Sequence, residues 1–197
     1  MKNILFILLA FVTIQCKAQN PIIDLQEWDG TITSGMYLKD TSNLFNQFEG
    51  TWVYTNGNIK FKIILVKKSL FFNSGYYEDI MIGEYQYIDS NGLILYDSLD
   101  QINIVYPNQY EHRIYGNDIP QTPSPFDVAP PGEIRIRLSM RETPRVRSTI
   151  DIRKTTTVFG QEAIELFKNS RSATTLPGQQ KGYTAYPDGV YILKKQP

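Results

Sequence analysis

One cysteine, Cys16, and one histidine, His112, are all that 197 residues hold of the two types most often recruited for disulfides, metals and nucleophilic catalysis. A single cysteine permits no intrachain disulfide, and no Cys/His cluster exists to ligate zinc. A Ser-His-Asp triad would have to use His112, which sits in YEHRIY between charged neighbours with no G-x-S-x-G anywhere in the chain. Excess charge is lacking too. Lys plus Arg and Asp plus Glu both number 20, which removes the whole-chain electrostatic argument for a nucleic-acid partner. Apart from residues 4–12 there is no long apolar run, so no helix of about 20 residues can be drawn through a membrane. Alanine is scarce and long helical periodicity is missing, which argues against a helical bundle.

What is present begins with that one run. Lys2 followed by Ile4 to Val12 has the charge and length of a signal-peptide core. Two cuts fit. Cleavage before Cys16 would leave it acylated and tether the chain to the outer membrane, although Thr13 and Gln15 match that cut poorly. Cleavage between Ala18 and Gln19 places small residues at both required positions and frees the protein into the periplasm or medium. The second cut divides the chain into a signal peptide, 1–18, and one mature domain, 19–197, with an extended lead-in over 19–40 and a Pro-rich loop over 116–132.

The rest favours strands, with abundant Tyr, Phe, Ile and Thr. Thr41 or Ser42 is a candidate cap for one short helical turn that would bury Leu44, Phe45 and Phe48. TWVYT-NG-NIKFKIILVKK reads as a hairpin turning on Asn56-Gly57, pairing Trp52 with Phe61 and Tyr54 with Ile59. That register puts Trp52, Tyr54, Ile59, Phe61, Ile63 and Leu65 on one face and Lys60 and Lys62 on the other. YYEDIMIGEYQYID is a long strand with Gly83 as a candidate bulge. Asp89-Ser90-Asn91-Gly92 is a turn, and LILYDS, INIVY and YEHRIY are short strands. EIRIRLSMRE-TP-RVRSTIDIRK is a second hairpin that would oppose Arg141 to Arg145. QEAIELFK leans to strand, and VYILKK closes the chain. Nine or ten strands in one domain predict an all-β fold, an antiparallel barrel-like domain with one short N-terminal helical turn.

CKAQ after the apolar leader, then YLKDTSNLFNQFEGTWVYTNGN and KIILVKK, resemble a family of uncharacterised exported Bacteroidetes proteins, a domain of unknown function. YYEDIMIGEYQYI, RETPR, QEAIELFKNSR and VYILKK extend the likeness over nearly the whole mature chain. The resemblance implies export and a small β domain, and brings no activity or ligand. Phe48-Glu49-Gly50-Thr51-Trp52 is also similar to lipocalins, whose first strand opens with Gly-x-Trp after a short helix.

Two functional readings stay open. In the first, the barrel is a non-enzymatic carrier of a small apolar or amphipathic ligand, lined near Trp52, Tyr54 and Phe61. In the second, side chains fill the barrel and the surface meets a cell-envelope partner. Candidates for that surface are the Pro-rich loop and an anion patch of Arg137, Arg141, Arg145 and Arg147, whose guanidinium groups suit an envelope polymer rich in phosphate. No cofactor, metal or nucleic acid is expected, and membrane contact is expected only through a lipid on Cys16.

Overall fold

The computed structural model describes residues 21–121, 123–126, 130–143, 146–157, 159–172 and 186–197. Cys16, Ala18, Gln19 and the whole proposed signal peptide lie outside these, as do Arg145 and the tip of the second hairpin.

Eleven strands follow in chain order: β1 (Ile22–Asp24), β2 (Tyr37–Lys39), β3 (Gly50–Asn56), β4 (Ile59–Asn73), β5 (Tyr76–Ile88), β6 (Ile94–Asp97), β7 (Ile114–Asp118), β8 (Arg135–Thr143), β9 (Val146–Thr156), β10 (Glu162–Ser172) and β11 (Gly189–Lys195). Eight of them close a barrel in the order β5-β4-β3-β11-β10-β9-β8-β7, with β7 pairing back onto β5 and every step antiparallel. Closure removes the open edges that such apolar strands would otherwise present. The expected all-β barrel is therefore the observed fold, and 162–172 is a strand.

One edge of β5 serves three partners in succession. Parallel β2 pairs at Tyr77 and Glu78, β7 at Met81 to Gly83, and β6 at Gln86 to Ile88. The lead-in thus extends the sheet, since β1 pairs parallel with β2. Gly83 is not a bulge. It pairs regularly with Leu65 on one side and Ile114 on the other, and an added Cβ would fall 2.5 Å from the Ile64 carbonyl oxygen. A side chain has no room where β7 locks onto β5. The bulge in this ladder lies instead between Lys68 and Phe71 of β4, where Leu70 takes a φ of 56°.

Both hairpins are shifted by two residues from the expected register. In the first, the turn residues are Gly57-Asn58, and Asn56 is the last residue of β3, opposite Ile59. Gly57 has φ 58°, which suits glycine at the first central position of a tight hairpin turn. Trp52 therefore faces Ile63, and Tyr54 faces Phe61. In the second, Arg141 faces Arg147 rather than Arg145, Arg137 faces Asp151, and a bulge follows Arg141. An even shift preserves which side chains share a face, so the inward set is as expected.

Two further corrections concern local structure. The turn over Leu44–Phe48 is a 3₁₀ helix capped by Asp40, not by Thr41 or Ser42. The Asp40 carboxylate accepts from the Leu44 and Phe45 amides at 2.7 and 2.9 Å. INIVY and the start of YEHRIY are not strands. Leu99–Asn103 and Gln109–Glu111 are 3₁₀ turns, and the segment lies over the outer wall, where Ile102 and Tyr110 pack on Ile80, Ile82 and Tyr115. Strand β5 already has partners along both edges, so this segment covers its outer face and pairs with neither edge.

Candidate functional site

The barrel interior carries the largest concentration of aromatic rings. Trp52, Phe61 and Tyr85 are fully buried, and so is Tyr186, which enters just ahead of β11. The Phe61 ring lies 4.3 Å from Tyr186, 5.7 Å from Tyr191 and 6.3 Å from Tyr85, and Tyr87 is 5.1 Å from Tyr186. Tyr54 meets Tyr191 edge to face at 5.1 Å. The three residues expected to line a cavity are thus brought together, but against other side chains. Tyr186 occupies the space between Phe61 and Tyr87. Burial drives the Tyr186 hydroxyl pKa well above the ordinary phenol value, and pushes Tyr191 up to about 12.

The Trp52 end is sealed. Its indole Nε1 donates to the Phe48 carbonyl at 2.8 Å, so the 3₁₀ turn with buried Phe45 and Phe48 is fastened across the barrel base. The ammonium groups of Lys154 and Lys195 lie 4.7 and 5.3 Å from the Trp52 ring, in range for cation–π attraction.

At the other end a polar cluster sits inside the barrel. Lys168, fully buried, places Nζ 2.9 Å from Glu142 and 2.9 Å from Asp188, and donates to the Tyr186 carbonyl at 3.1 Å. Ser148 donates to Glu142, and Ser170 lies 3.0 Å from Ser148. Burial raises the Asp188 pKa, but hydrogen bonds from Ser170 and Lys168 outweigh it and hold the carboxyl below its usual range. An ammonium held between two carboxylates is a poor nucleophile, so the cluster holds β8, β10 and the Tyr186–Asp188 segment together. Sequence reading missed the cluster, since Glu142 and Lys168 come from separate strands and Asp188 from the turn ahead of β11.

His112 is fully buried beneath the outer-wall segment, with Nδ1 2.8 Å from Glu84 Oε1. Tyr106 packs edge-on against its ring at 4.8 Å. No serine or cysteine is hydrogen-bonded to it among the described residues. Among those residues, too, no three His, Cys, Asp or Glu side chains converge as a metal site.

Of the proposed anion patch, Arg145 lies outside the described residues, Arg141 faces Arg147 directly, and Arg137 stands four residues along β8 opposite Asp151. Arg137 is engaged by Asp151, at 3.1 Å from its Nη2, and by Asp118 at 3.8 Å. Arg135, Arg153, Glu133 and Glu165 continue that network along the outer wall. Burial raises the Glu133 pKa, but Arg135, Ser124 and Arg153 outweigh it and hold the carboxyl low. Arg141 lies 5.0 Å over the Tyr115 ring, and Arg147 is exposed. Glu142 points inward, to Lys168. The Pro-rich segment covers part of this wall, with Phe126 under the Arg153 guanidinium at 4.2 Å and facing Phe167 at 6.4 Å.

A further set of cations lies on another wall. A groove of about 550 Å³ on the outer wall of β11, β3, β4 and β5 is lined by Lys60, Lys62 and Lys194, with Val53, Ile88 and Ile192 between them and Thr55, Gln86 and Gln196 beside them. No carboxylate lines it, and none of the three lysines has an ion pair among the described residues. Sequence placed Lys60 and Lys62 on one face. It could not place Lys194 there, because only barrel closure sets β11 beside β3. A second groove of about 410 Å³ includes Glu133, Arg153 and Lys154. Of the three residues expected to line a ligand site, Tyr54 lines the first groove, and Trp52 and Phe61 line neither.

A family model described as a family of unknown function, DUF6705, matches residues 1–196. No curated protein and no solved structure matches.

Proposed function

The chain belongs to that family of unknown function, a membership that assigns no activity, and from the geometry we propose a non-enzymatic, exported interaction protein. Its barrel is filled by its own side chains, and it meets its partner in the cell envelope with its outer wall. The observation that carries this reading is Tyr186, which is buried among Phe61, Tyr85, Tyr87 and Tyr191 where a carried molecule would sit. A carrier would need apolar space at Trp52, Tyr54 and Phe61, and those residues are already in contact with protein. Export rests on the charged and apolar leader read from the sequence, with Cys16 either removed or acylated.

Native mass spectrometry of the protein from its own cell tests both halves. The expected species is the polypeptide alone, beginning at Gln19 or at an acylated Cys16. A stoichiometric apolar molecule retained on the folded chain and lost on denaturation would overturn the filled-barrel reading. A species still beginning at Met1 would overturn export.

A further inference from the structure

We propose that the lysine groove on the outer wall is a binding site for an anionic amphiphile, a molecule with a phosphate or carboxylate head and an aliphatic body. The inference rests on the reading above, that recognition happens outside a filled barrel, and it names the chemistry recognised. The register fixes the geometry. Val53 of β3 is flanked by Lys62 of β4 and by Lys194 of β11. Neighbouring strands are about 4.8 Å apart, so the two lysine backbones stand roughly 10 Å apart across Val53. Lys60 is two residues from Lys62 on the same strand, about 7 Å away on the same face. Three ammonium groups therefore surround one aliphatic strip. Like charges this close cost free energy in the unbound protein unless solvent or a counter-ion relieves them. On the β8–β10 wall this protein answers Arg135, Arg137 and Arg153 with Glu133, Asp151 and Glu165. Here it does not. Charge complementarity therefore calls for an anionic head.

The floor calls for the apolar body. Ile192 remains 50% exposed and Val190 beside it 49%, with Val53 and Ile88 half-buried in the same wall. An inorganic anion would leave these aliphatic groups in water, and a neutral amphiphile would leave the lysines unmatched. Gln86 and Gln196 add polar donors at the margin. The groove volume of about 550 Å³ lies within the range of small-molecule sites. Long lysine side chains suit this use, because their stems extend the apolar surface while their heads reach the anion.

The test uses monomeric dodecyl phosphate as the probe, with dodecyl maltoside and inorganic phosphate as comparisons, and reads methyl resonances of the full mature chain. Dodecyl phosphate should shift Val53, Ile88 and Ile192 and bind at least about tenfold more tightly than either comparison. Affinity should fall on adding salt, since exposed charges are screened. K60E/K62E/K194E, on exposed or half-exposed positions, should abolish the shifts while leaving the unfolding midpoint near that of the parent. Equal binding of the neutral amphiphile or of inorganic phosphate, or binding unaffected by the triple substitution, overturns the site. An absence of shifts throughout also overturns it, and leaves the filled-barrel reading standing. Shifts at Leu138, Ile150 and Leu166 instead would put the probe inside the barrel and overturn both.

Discussion

Lys168 shows most directly how single side chains hold this molecule. A buried ammonium is tolerable only because Glu142 and Asp188 each stand 2.9 Å away. Lys168→Met removes the cation and leaves a buried carboxylate beside it. Breaking one side of such a pair costs about 3–5 kcal/mol, more than the methionine can regain by packing. The double substitution Lys168→Met with Glu142→Leu should recover much of the loss, as read from urea midpoints. Glu78 makes the opposite case. Burial raises its pKa, against hydrogen bonds from Tyr110, Asn73 and Asn117. The folded chain then keeps a proton that the unfolded chain releases near 4.5, so this residue's contribution to stability falls as pH rises through the folded value. Glu78→Gln should remove that step. Its stability relative to the parent should climb from acid toward neutral pH and then level off. A difference independent of pH would show that Glu78 does not titrate as its burial requires. Neither residue announces itself in the sequence. A lysine in LFKNS looks like any strand lysine until β8, β9 and β10 pair and set Glu142 two strands away on the same inner face.

At the scale of elements, β5 organises the fold because β2, β7 and β6 share one of its edges while β4 takes the whole of the other. Gly83 marks the joint where the barrel closes. Gly83→Ala would set a methyl 2.5 Å from the Ile64 carbonyl oxygen, 2.8 Å from Leu65 Cδ2 and 3.3 Å from Ile114 Cβ. Backbone cannot yield as a flexible side chain can, so the expected loss is about 1–3 kcal/mol. Denaturant unfolding measures it, and an unchanged midpoint would mean that β4 and β7 do not close on Gly83 as described. The hairpins show what a sequence of this kind reveals of its elements. Alternation in TWVYT and KFKIIL identifies the inward face, and that survives an even slip. The choice between Asn56-Gly57 and Gly57-Asn58 as the turn pair is a local backbone matter that alternation does not decide. INIVY was misleading for a related reason. Its β-branched residues favour strand locally, but β4 on one side and β2, β7 and β6 on the other already occupy both edges of the β5 strand it covers.

For the molecule as a whole, the decisive question is whether the barrel is a container or a solid support for its wall. The all-β barrel and its aromatic inner face were legible in periodicity and composition, whereas the strand number was not, with eleven strands where nine or ten were expected. The plug was not, because Tyr186 precedes a Pro-Asp-Gly turn and reads as a loop residue. It reaches the centre only when β10 and β11 pair and draw Asp188 to Lys168. Tyr186→Ala tests the solid reading. Removing a large buried ring should cost about 3–5 kcal/mol, combining lost burial with the void left behind. A void walled by the rings of Phe61, Tyr85, Tyr87 and Tyr191, with the Lys168 ammonium at its polar end, would be large enough to admit benzene, as engineered cavities of about 150 Å³ do. The variant's Tm should therefore rise with benzene concentration, following ligand linkage to the folded state. On the solid reading the parent should not respond. Benzene stabilising the parent as strongly as the variant would mean that an internal site exists before the ring is removed. The barrel would then be a container, and the search for its partner would move from the lysine-lined wall to the space beneath Tyr186.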